Sequence, residues 1–507
     1  MFNEKIFNSD RYQYTMSEVF MKTKKDKDKS VFNVFFRKSP HKNNWSIFAG
    51  GSEILELINT INNNTFSYDY KINFFSKVMN LSKDDEIVDK LSKLQFTGNI
   101  YMMKEGEIVF PNEPMITIEG PLIECQILEV PILSIINHQC LIATKASRIV
   151  RASKNISVSS FGSRRAHGPL SSIQGDKAAY IGGCNSVSNI LTSYEYDINS
   201  SGTMAHSFIE SYGSSSESEY NAFKDFVKYN NDGPNILLID TYNVLKSGLK
   251  NAIKVFKEFD LENQNKPYGI RIDSGDLAYL SIRVKKEFIK NNLNNAKIIL
   301  TNGLDEYLIK DLLEQIEYYI KQDENLKNYK VNDIVNGFGV GDAIACSKGD
   351  PCFGGVYKLS EINNTPVMKL SEDTIKIINP GKQQIYRIIQ NDEFKADIIV
   401  RKKDDKIIKD IIDNKSITIT DEQDRRKTTT FDKYKYKILL HLCVQNGDII
   451  NYDTNINNAR KYFLNNLSQL SPEHKRLINP HIYKVDISNE LYDLKKQTIK
   501  QIENSFK

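Results

Sequence analysis

The chain has 507 residues, 68 Lys and Arg against 64 Asp and Glu, a net charge of +4 and 40% hydrophobic residues. That length exceeds one small core and implies two or three domains. The balanced charge excludes the basic footprint of a nucleic-acid module and gives no reason to expect an anionic membrane as partner.

The N-terminus, MFNEKIFNSDRYQ, lacks the apolar run of a secretion signal, and no stretch approaches ~18 consecutive apolar residues. The six cysteines (125, 140, 184, 346, 352 and 443) form no CxxC pair. They read as reduced core thiols of a cytoplasmic protein, with neither a disulfide frame nor a zinc site.

Residues 10 to 22, DRYQYTMSEVFMK, carry helical spacing. Tyr12, Met16, Val19 and Phe20 share one face, and Asp10 is placed to cap the helix. The charged turn KTKKDKDKS follows, then VFNVFFRK (31–38) as a strand, and residues 96–119 as several short strands with turns at Lys104-Glu105-Gly106 and Pro111-Asn112. Residues 1–130 are therefore expected to form an N-terminal α+β domain.

From residue 131 the pattern changes to a repeated unit of short apolar strand, polar or glycine-bearing loop, and helix. The strand-and-loop segments are 156–166, 180–189, 197–208, 235–244, 268–276, 297–306 and 335–344. Such alternation fits a parallel α/β barrel or an open doubly wound sheet, and this number of strands favours an irregular barrel over 131–360. Polar residues collect after the strands, on the face where barrel sites lie. Residues 361–507 return to short strands, a charged hairpin at TDEQDRRKTTTFDKY, and helices at 455–470 and 487–504, expected to pack back on the N-terminal domain.

Several of those loops carry chemistry. In SSGTMAHSFI small residues turn the chain just before His206, a group able to act as base or nucleophile near neutral pH. Arg164 and Arg165 of GSRRA supply guanidinium forks for carboxylate or phosphate. Asp240, after the apolar run of LLIDTYNV, is placed to orient an imidazole. Arg271, Asp273 and Asp276 of RIDSGD suit sugar hydroxyls, phosphate and Mg²⁺. The glycines of TNGLDE and GFGVGDA offer backbone N–H groups to phosphate. Together they point to an anionic, phosphorylated substrate.

These segments, FGSRRAHGP, GTMAHSF, IDTYNV, RIDSGDL, TNGLDE and GFGVGDAI…FGGVYKL, resemble in order and spacing the nicotinate phosphoribosyltransferase family. DRYQYTM, FFRKSP…WSIFAGG, EGPLIECQILE and NPHIYKVDIS extend the resemblance over nearly the whole chain. It implies an irregular barrel of the type II phosphoribosyltransferase kind, in a cytoplasmic homodimer with shared active sites. The implied reaction forms nicotinate mononucleotide and pyrophosphate from nicotinate and phosphoribosyl pyrophosphate, with Mg²⁺ and coupled ATP hydrolysis.

Carried over by position, His206 resembles the histidine that ATP phosphorylates, with Asp240 as its orienter. Arg271 and Arg164 resemble the groups around the nicotinate carboxylate and ribose phosphate, with Asp273 beside the ribose or metal. Arg165, Ser188 and Thr203 join the substrate-binding set, and Gly303 and Gly341 approach phosphate through backbone N–H groups. Tyr12 resembles an aromatic that stacks on the pyridine from the neighbouring subunit. No residue is assigned to the metal.

Two departures stand out: GGCNSVSN (182–189) replaces a GFDGTSN-like run, and Asp342 replaces a small hydroxyl residue beside the phosphate loop. Relatives that take nicotinamide tend to carry an acid where this chain has Ser188, which favours a carboxylate substrate. The amide enzyme, and a non-catalytic ligand-binding member of the fold, are the alternatives.

Overall fold

A computed structural model describes residues 7–63, 65–230, 233–371, 378–402, 405–422 and 424–506. Met1–Ile6, the head of the N-terminal segment, and Gln423 of the charged hairpin lie outside them. In place of divisions at 130 and 360, the chain forms two compact units: Met1–Leu141 with Cys352–Lys507, and Ile142–Pro351.

The first unit is built on the strand Lys29–Phe36, which pairs antiparallel with Ile116–Pro121 on one side and Gly355–Ile362 on the other. Ser30 faces Gly120 and Ile362 across the two ladders. All of its residues after Lys29 are buried, the polar Ser30 and Asn33 included. Phe32, Val34 and Phe36 pack with Ile116, Ile118 and Ile132 in the main core. The later residues add a second sheet around the hairpin Gln383–Gln390 and Glu393–Arg401, and the expected charged hairpin appears as Ile417–Thr420 paired with Thr428–Phe431.

The N-terminal helix forms at Arg11–Lys22, but Asp10 makes no side-chain capping bond. Its buried residues are Gln13, Tyr14, Ser17 and Met21. The expected Tyr12–Met16–Val19–Phe20 stripe is split: Tyr12 and Val19 are 47% and 53% exposed, Met16 is half-buried and Phe20 packs against the main core. Helical spacing fixes which residues share a face, and the helices packed against it, through Phe75, Leu91 and Ile123, decide which face turns inward.

The second unit holds the expected parallel sheet, with six strands where seven segments were read: β1 (Ser157–Ser160), β2 (Ser186–Val187), β3 (Asn235–Leu238), β4 (Tyr268–Ile272), β5 (Lys297–Leu300) and β6 (Gly337–Val340). Their order is β2-β1-β6-β5-β4-β3. The segment 197–208 is not a strand: it meets the sheet through one parallel bridge, Val187 to Ser200, and the Ser186–Ser201 hydroxyl pair at 2.8 Å, before the short helix His206–Glu210. Its glycine and serines supply too little side chain to hold a ladder.

Four of the cysteines are buried core thiols as expected, but Cys346 is half-buried and Cys352 exposed; all six are free. The helical run Leu122–Ala152 is long and apolar enough to cross a membrane, and most of its apolar stretch is buried within the protein. No Asp or Glu breaks it after Glu129, yet Lys145 and Arg148 point inward to Glu306 at 2.7 and 2.8 Å.

Candidate active site

Loops at the C-terminal ends of the parallel strands enclose a cavity of about 710 Å³. Of the residues singled out in the sequence, Arg164, Arg165, Ser188, Thr203, Arg271, Asp273, Gly303 and Gly341 all line it. Parallel pairing explains the convergence, because in-register strands deliver their following loops to one edge.

Arg164 and Arg165 sit in the single 3₁₀ turn Ser163–Arg165 after β1, both exposed at the cavity. The Cys346 thiol donates to the Arg165 carbonyl at 2.9 Å and ties that turn to the loop after β6. Arg271, on β4, is half-buried, and its Nε has no hydrogen-bond partner. Burial pulls its pKa down, while Asp273 and Asp240 hold it up and Arg164 opposes them. This guanidinium is thus desolvated, charged and uncommitted, the condition in which it binds an anion most strongly.

Asp273 is fixed at both ends: its N–H donates to Asp240 Oδ2 at 3.2 Å, and its Oδ1 accepts from the Thr301 hydroxyl at 2.7 Å. Asp240 Oδ2 also accepts from Ser274 at 2.6 Å. Asp240 therefore organises the loop after β4 and is not the partner of His206. The His206 Nδ1 meets the Thr241 hydroxyl at 3.0 Å. Successive residues leaving a strand point to opposite sides, so the hydroxyl one step after the acid takes the imidazole. His206 opens its helix one residue beyond Ala205, which lines the cavity.

Asp276 caps the following helix, accepting from the Tyr279 N–H at 2.9 Å, and lies outside the cavity lining. Tyr12 belongs to the first unit, where its hydroxyl donates to Glu129 at 3.3 Å. Asp342 has a cation close by, Lys348 Nζ at 3.6 Å, so its charge is partly offset beside the phosphate loop. Gly303 adopts φ +61° with open space where a Cβ would stand, so a ligand can reach its backbone directly.

Sequence reasoning missed Thr241, Thr301 and Asp176, whose signals are ordinary hydroxyls and a helix-borne acid. Asp176 accepts from Ser160 at 2.6 Å and from Ser163 at 3.0 Å, bracing the turn that carries the two arginines. Burial pushes its carboxyl up to about 6, against the pull of both serines. The folded chain therefore holds this proton more tightly than the unfolded chain. Stability should fall as pH rises from about 4 to about 6, by up to about 3 kcal/mol from this group. Asp176→Asn is expected to flatten that slope when urea midpoints are compared at about pH 4 and about pH 7.

Mg²⁺ fits the donor set as a partly hydrated ion. Among the described residues no group of three His, Cys, Asp or Glu side chains can hold a metal. Asp240 Oδ1, however, is buried without a hydrogen-bond partner beside the anion cavity. One or two carboxylates completed by substrate phosphates and water is the usual Mg²⁺ arrangement.

Three family models match in sequence: the nicotinate phosphoribosyltransferase N-terminal domain over residues 7–137, the nicotinate phosphoribosyltransferase family over 156–403, and the nicotinate phosphoribosyltransferase C-terminal domain over 382–495. The nicotinate phosphoribosyltransferase of Bacillus subtilis is 32% identical over 503 residues, covering 98% of this chain and 96% of that protein. That of Dictyostelium discoideum is 30% identical over 533 residues, covering 96% and 86%. Among solved structures, human nicotinic acid phosphoribosyltransferase superposes with a TM-score of 0.77 at 23% identity, covering 97% of this chain and 99% of that one. The nicotinate-nucleotide pyrophosphorylase of Pyrococcus furiosus gives 0.65 at 22% identity, covering 92% and 96%. Both have the fold found here, the irregular parallel barrel of type II phosphoribosyltransferases with its α+β companion. With identity of this level sustained from end to end, the chain belongs to the nicotinate phosphoribosyltransferase family.

Proposed function

We propose that the protein joins nicotinate to phosphoribosyl pyrophosphate, forming nicotinate mononucleotide and releasing pyrophosphate, for salvage of the pyridine ring into NAD. The observation that carries this is the convergence of Arg164, Arg165 and Arg271 on one cavity with Ser188 and no acid at that position. The pyridine nitrogen is itself the nucleophile at the ribose anomeric carbon, so the protein needs no strong base. Its work is to hold two anions in line and to stabilise charge as it builds on the leaving pyrophosphate. Arg271 offers an uncommitted guanidinium from the cavity wall, the two exposed arginines close over it, and the backbone around Gly303 and Gly341 supplies N–H donors. When bound, Mg²⁺ would neutralise the diphosphate, with Asp240 and Asp273 as the carboxylates nearest to hand.

His206 is the acceptor for ATP in this reading. Thr241 fixes Nδ1, which leaves Nε2 to take the γ-phosphoryl group. An N–P bond forms there as the bond to ADP breaks, and the phosphohistidine is later hydrolysed. The exposure of Tyr12 and Val19 on the N-terminal helix supports a homodimer in which Tyr12 meets a neighbouring subunit's substrate. Reduced thiols are consistent with a cytoplasmic site of action.

The test is mononucleotide formation from phosphoribosyl pyrophosphate with nicotinate or nicotinamide, with and without ATP. Wild type should use nicotinate, with ATP raising the rate. His206→Ala should lose that rise while keeping a basal rate, and Thr241→Val should lower phosphohistidine formation by about tenfold through the lost hydrogen bond. Preferential turnover of nicotinamide would reassign the enzyme to the amide. Absence of turnover with either, in protein that still binds phosphoribosyl pyrophosphate, would make it a ligand-binding member.

A further inference from the structure

A second cavity, of about 720 Å³, lies within the first unit and shares no lining residue with the site above. Its wall draws on separated parts of the chain: Tyr101 and Lys104 from the strand Asn99–Met102 and the turn after it, Lys402 after Glu393–Arg401, His441 at the start of His441–Gln445, and Tyr462 from the helix Ile456–Gln469.

The acids of this wall are consumed by the fold. Glu105 accepts from the Gly50 N–H at 2.8 Å and from Ser52 at 3.2 Å. Asp453 accepts from the Asn455 N–H at 2.9 Å and from Asn458 Nδ2 at 2.8 Å. The hydroxyls are committed too: Tyr462 donates to the buried Glu107 at 2.6 Å, and Tyr452 to the Met103 carbonyl at 3.2 Å.

The cations are not consumed. Lys104 and Lys402 are exposed, and among the described residues neither meets a carboxylate. Lys402 Nζ lies 4.2 Å from the centre of the Tyr101 ring and Lys104 Nζ 5.9 Å from that of Tyr462, so aromatic faces steer both. His441 is half-buried in the same lining, with no hydrogen bond to its ring among the described residues. Burial, and then Lys104, hold its imidazole below the ordinary histidine range.

We propose that this cavity binds a small phosphate-bearing anion, gripped by Lys104, Lys402 and His441. Its volume is that of a site for a nucleotide-sized ligand, with room for more than the phosphate. Two ammonium groups and an imidazole with no other partner offer charge-assisted hydrogen bonds that water alone satisfies otherwise. The phosphate of free inorganic phosphate and that of a nucleoside monophosphate present the same oxygens here, and only the remaining volume separates them.

The test follows His441 itself. Histidine ring carbons are labelled in the full-length protein, the His441 resonance is assigned with His441→Gln, and inorganic phosphate and then AMP are titrated. Saturable movement of the His441 resonance, with its pKa rising as the anion arrives, supports the site. The Lys104→Gln/Lys402→Gln double variant should weaken that binding by at least about tenfold, while its thermal midpoint stays unchanged because both side chains are exposed. AMP binding tighter than phosphate identifies a nucleotide site, and equal affinity identifies a phosphate site. A His441 resonance that stays still while that of His206 moves overturns the proposal, as does undiminished binding in the double variant. Neither outcome depends on turnover, so the reading of the catalytic cavity stands or falls separately.

Discussion

Arg271→Ala is expected to lower kcat/KM for mononucleotide formation by about 10²–10³-fold, the usual loss when one preorganised donor to developing charge is removed. The reason lies in its state before substrate arrives. Arg271 is half-buried, its Nε lacks a partner, and the two carboxylates near it, Asp240 and Asp273, are already engaged by Ser274, Thr301 and a backbone N–H. Its charge is therefore held ready for an anion and is not neutralised by an ion pair. Arg271→Lys should recover only part of the loss, because an ammonium keeps the charge and loses the planar fork. Steady-state kinetics with nicotinate and phosphoribosyl pyrophosphate varied in turn separates a binding loss from a kcat loss. A change of less than about twofold in kcat/KM would remove Arg271 from the machinery.

Far from that chemistry in sequence, Arg387→Ala should cost about 3–5 kcal/mol of stability, the range for breaking a buried ion pair from one side. Arg387 is fully buried. It holds Asp397 through two parallel bonds at 2.8 and 2.5 Å, Glu107 at 2.6 Å and the Ile108 carbonyl at 2.8 Å. Lys437 at 2.8 Å still covers Glu107 after the substitution, but Asp397 loses its cation and keeps neutral donors, the Tyr483 hydroxyl at 3.0 Å and the Glu113 carboxyl. Burial, and then the Asp397 charge, hold the Glu113 carboxyl far above its ordinary range, so that acid stays protonated and donates to Asp397 without supplying the positive charge that is lost. Arg387→Met combined with Asp397→Leu should be much milder than Arg387→Ala, because no uncompensated charge remains. Urea denaturation of the three proteins checks both statements. Equal losses in the single and double variants would place the energy in packing and not in charge.

The loops that carry the site were legible because their residue types are unusual where they stand: paired arginines, an acid–serine–glycine turn, glycines at strand ends. Their convergence followed from the parallel order of the strands. The partner of His206 was not legible. Asp240 and Thr241 are adjacent, either can bond an imidazole, and one step along a strand exit reverses the direction of the side chain. The outward face of the N-terminal helix was hidden for a related reason, since Tyr14 and Met21 are as apolar as Tyr12 and Val19 and only the packing beneath selects between them. The segment 197–208 takes the place of a strand and loop in the repeat, yet Ser200, Ser201 and Gly202 leave a ladder little to hold.

The first unit is interrupted: Met1–Leu141 leaves the ribosome before Ile142–Pro351, and its sequel begins only at Cys352. The strand Lys29–Phe36 must wait for Gly355–Ile362 to cover one of its edges. At roughly 5–20 residues per second, the roughly 320 residues between the two strands make that delay on the order of 15–65 s. The inserted unit has its own core and can fold during the wait, whereas the first has an apolar strand with one open edge and nothing yet made to cover it. Biogenesis thus has a vectorial weak point. Slowing translation across the insertion should increase chaperone association and aggregation of nascent chains, and a substitution that leaves the mature enzyme untouched can still lower its yield by prolonging that interval.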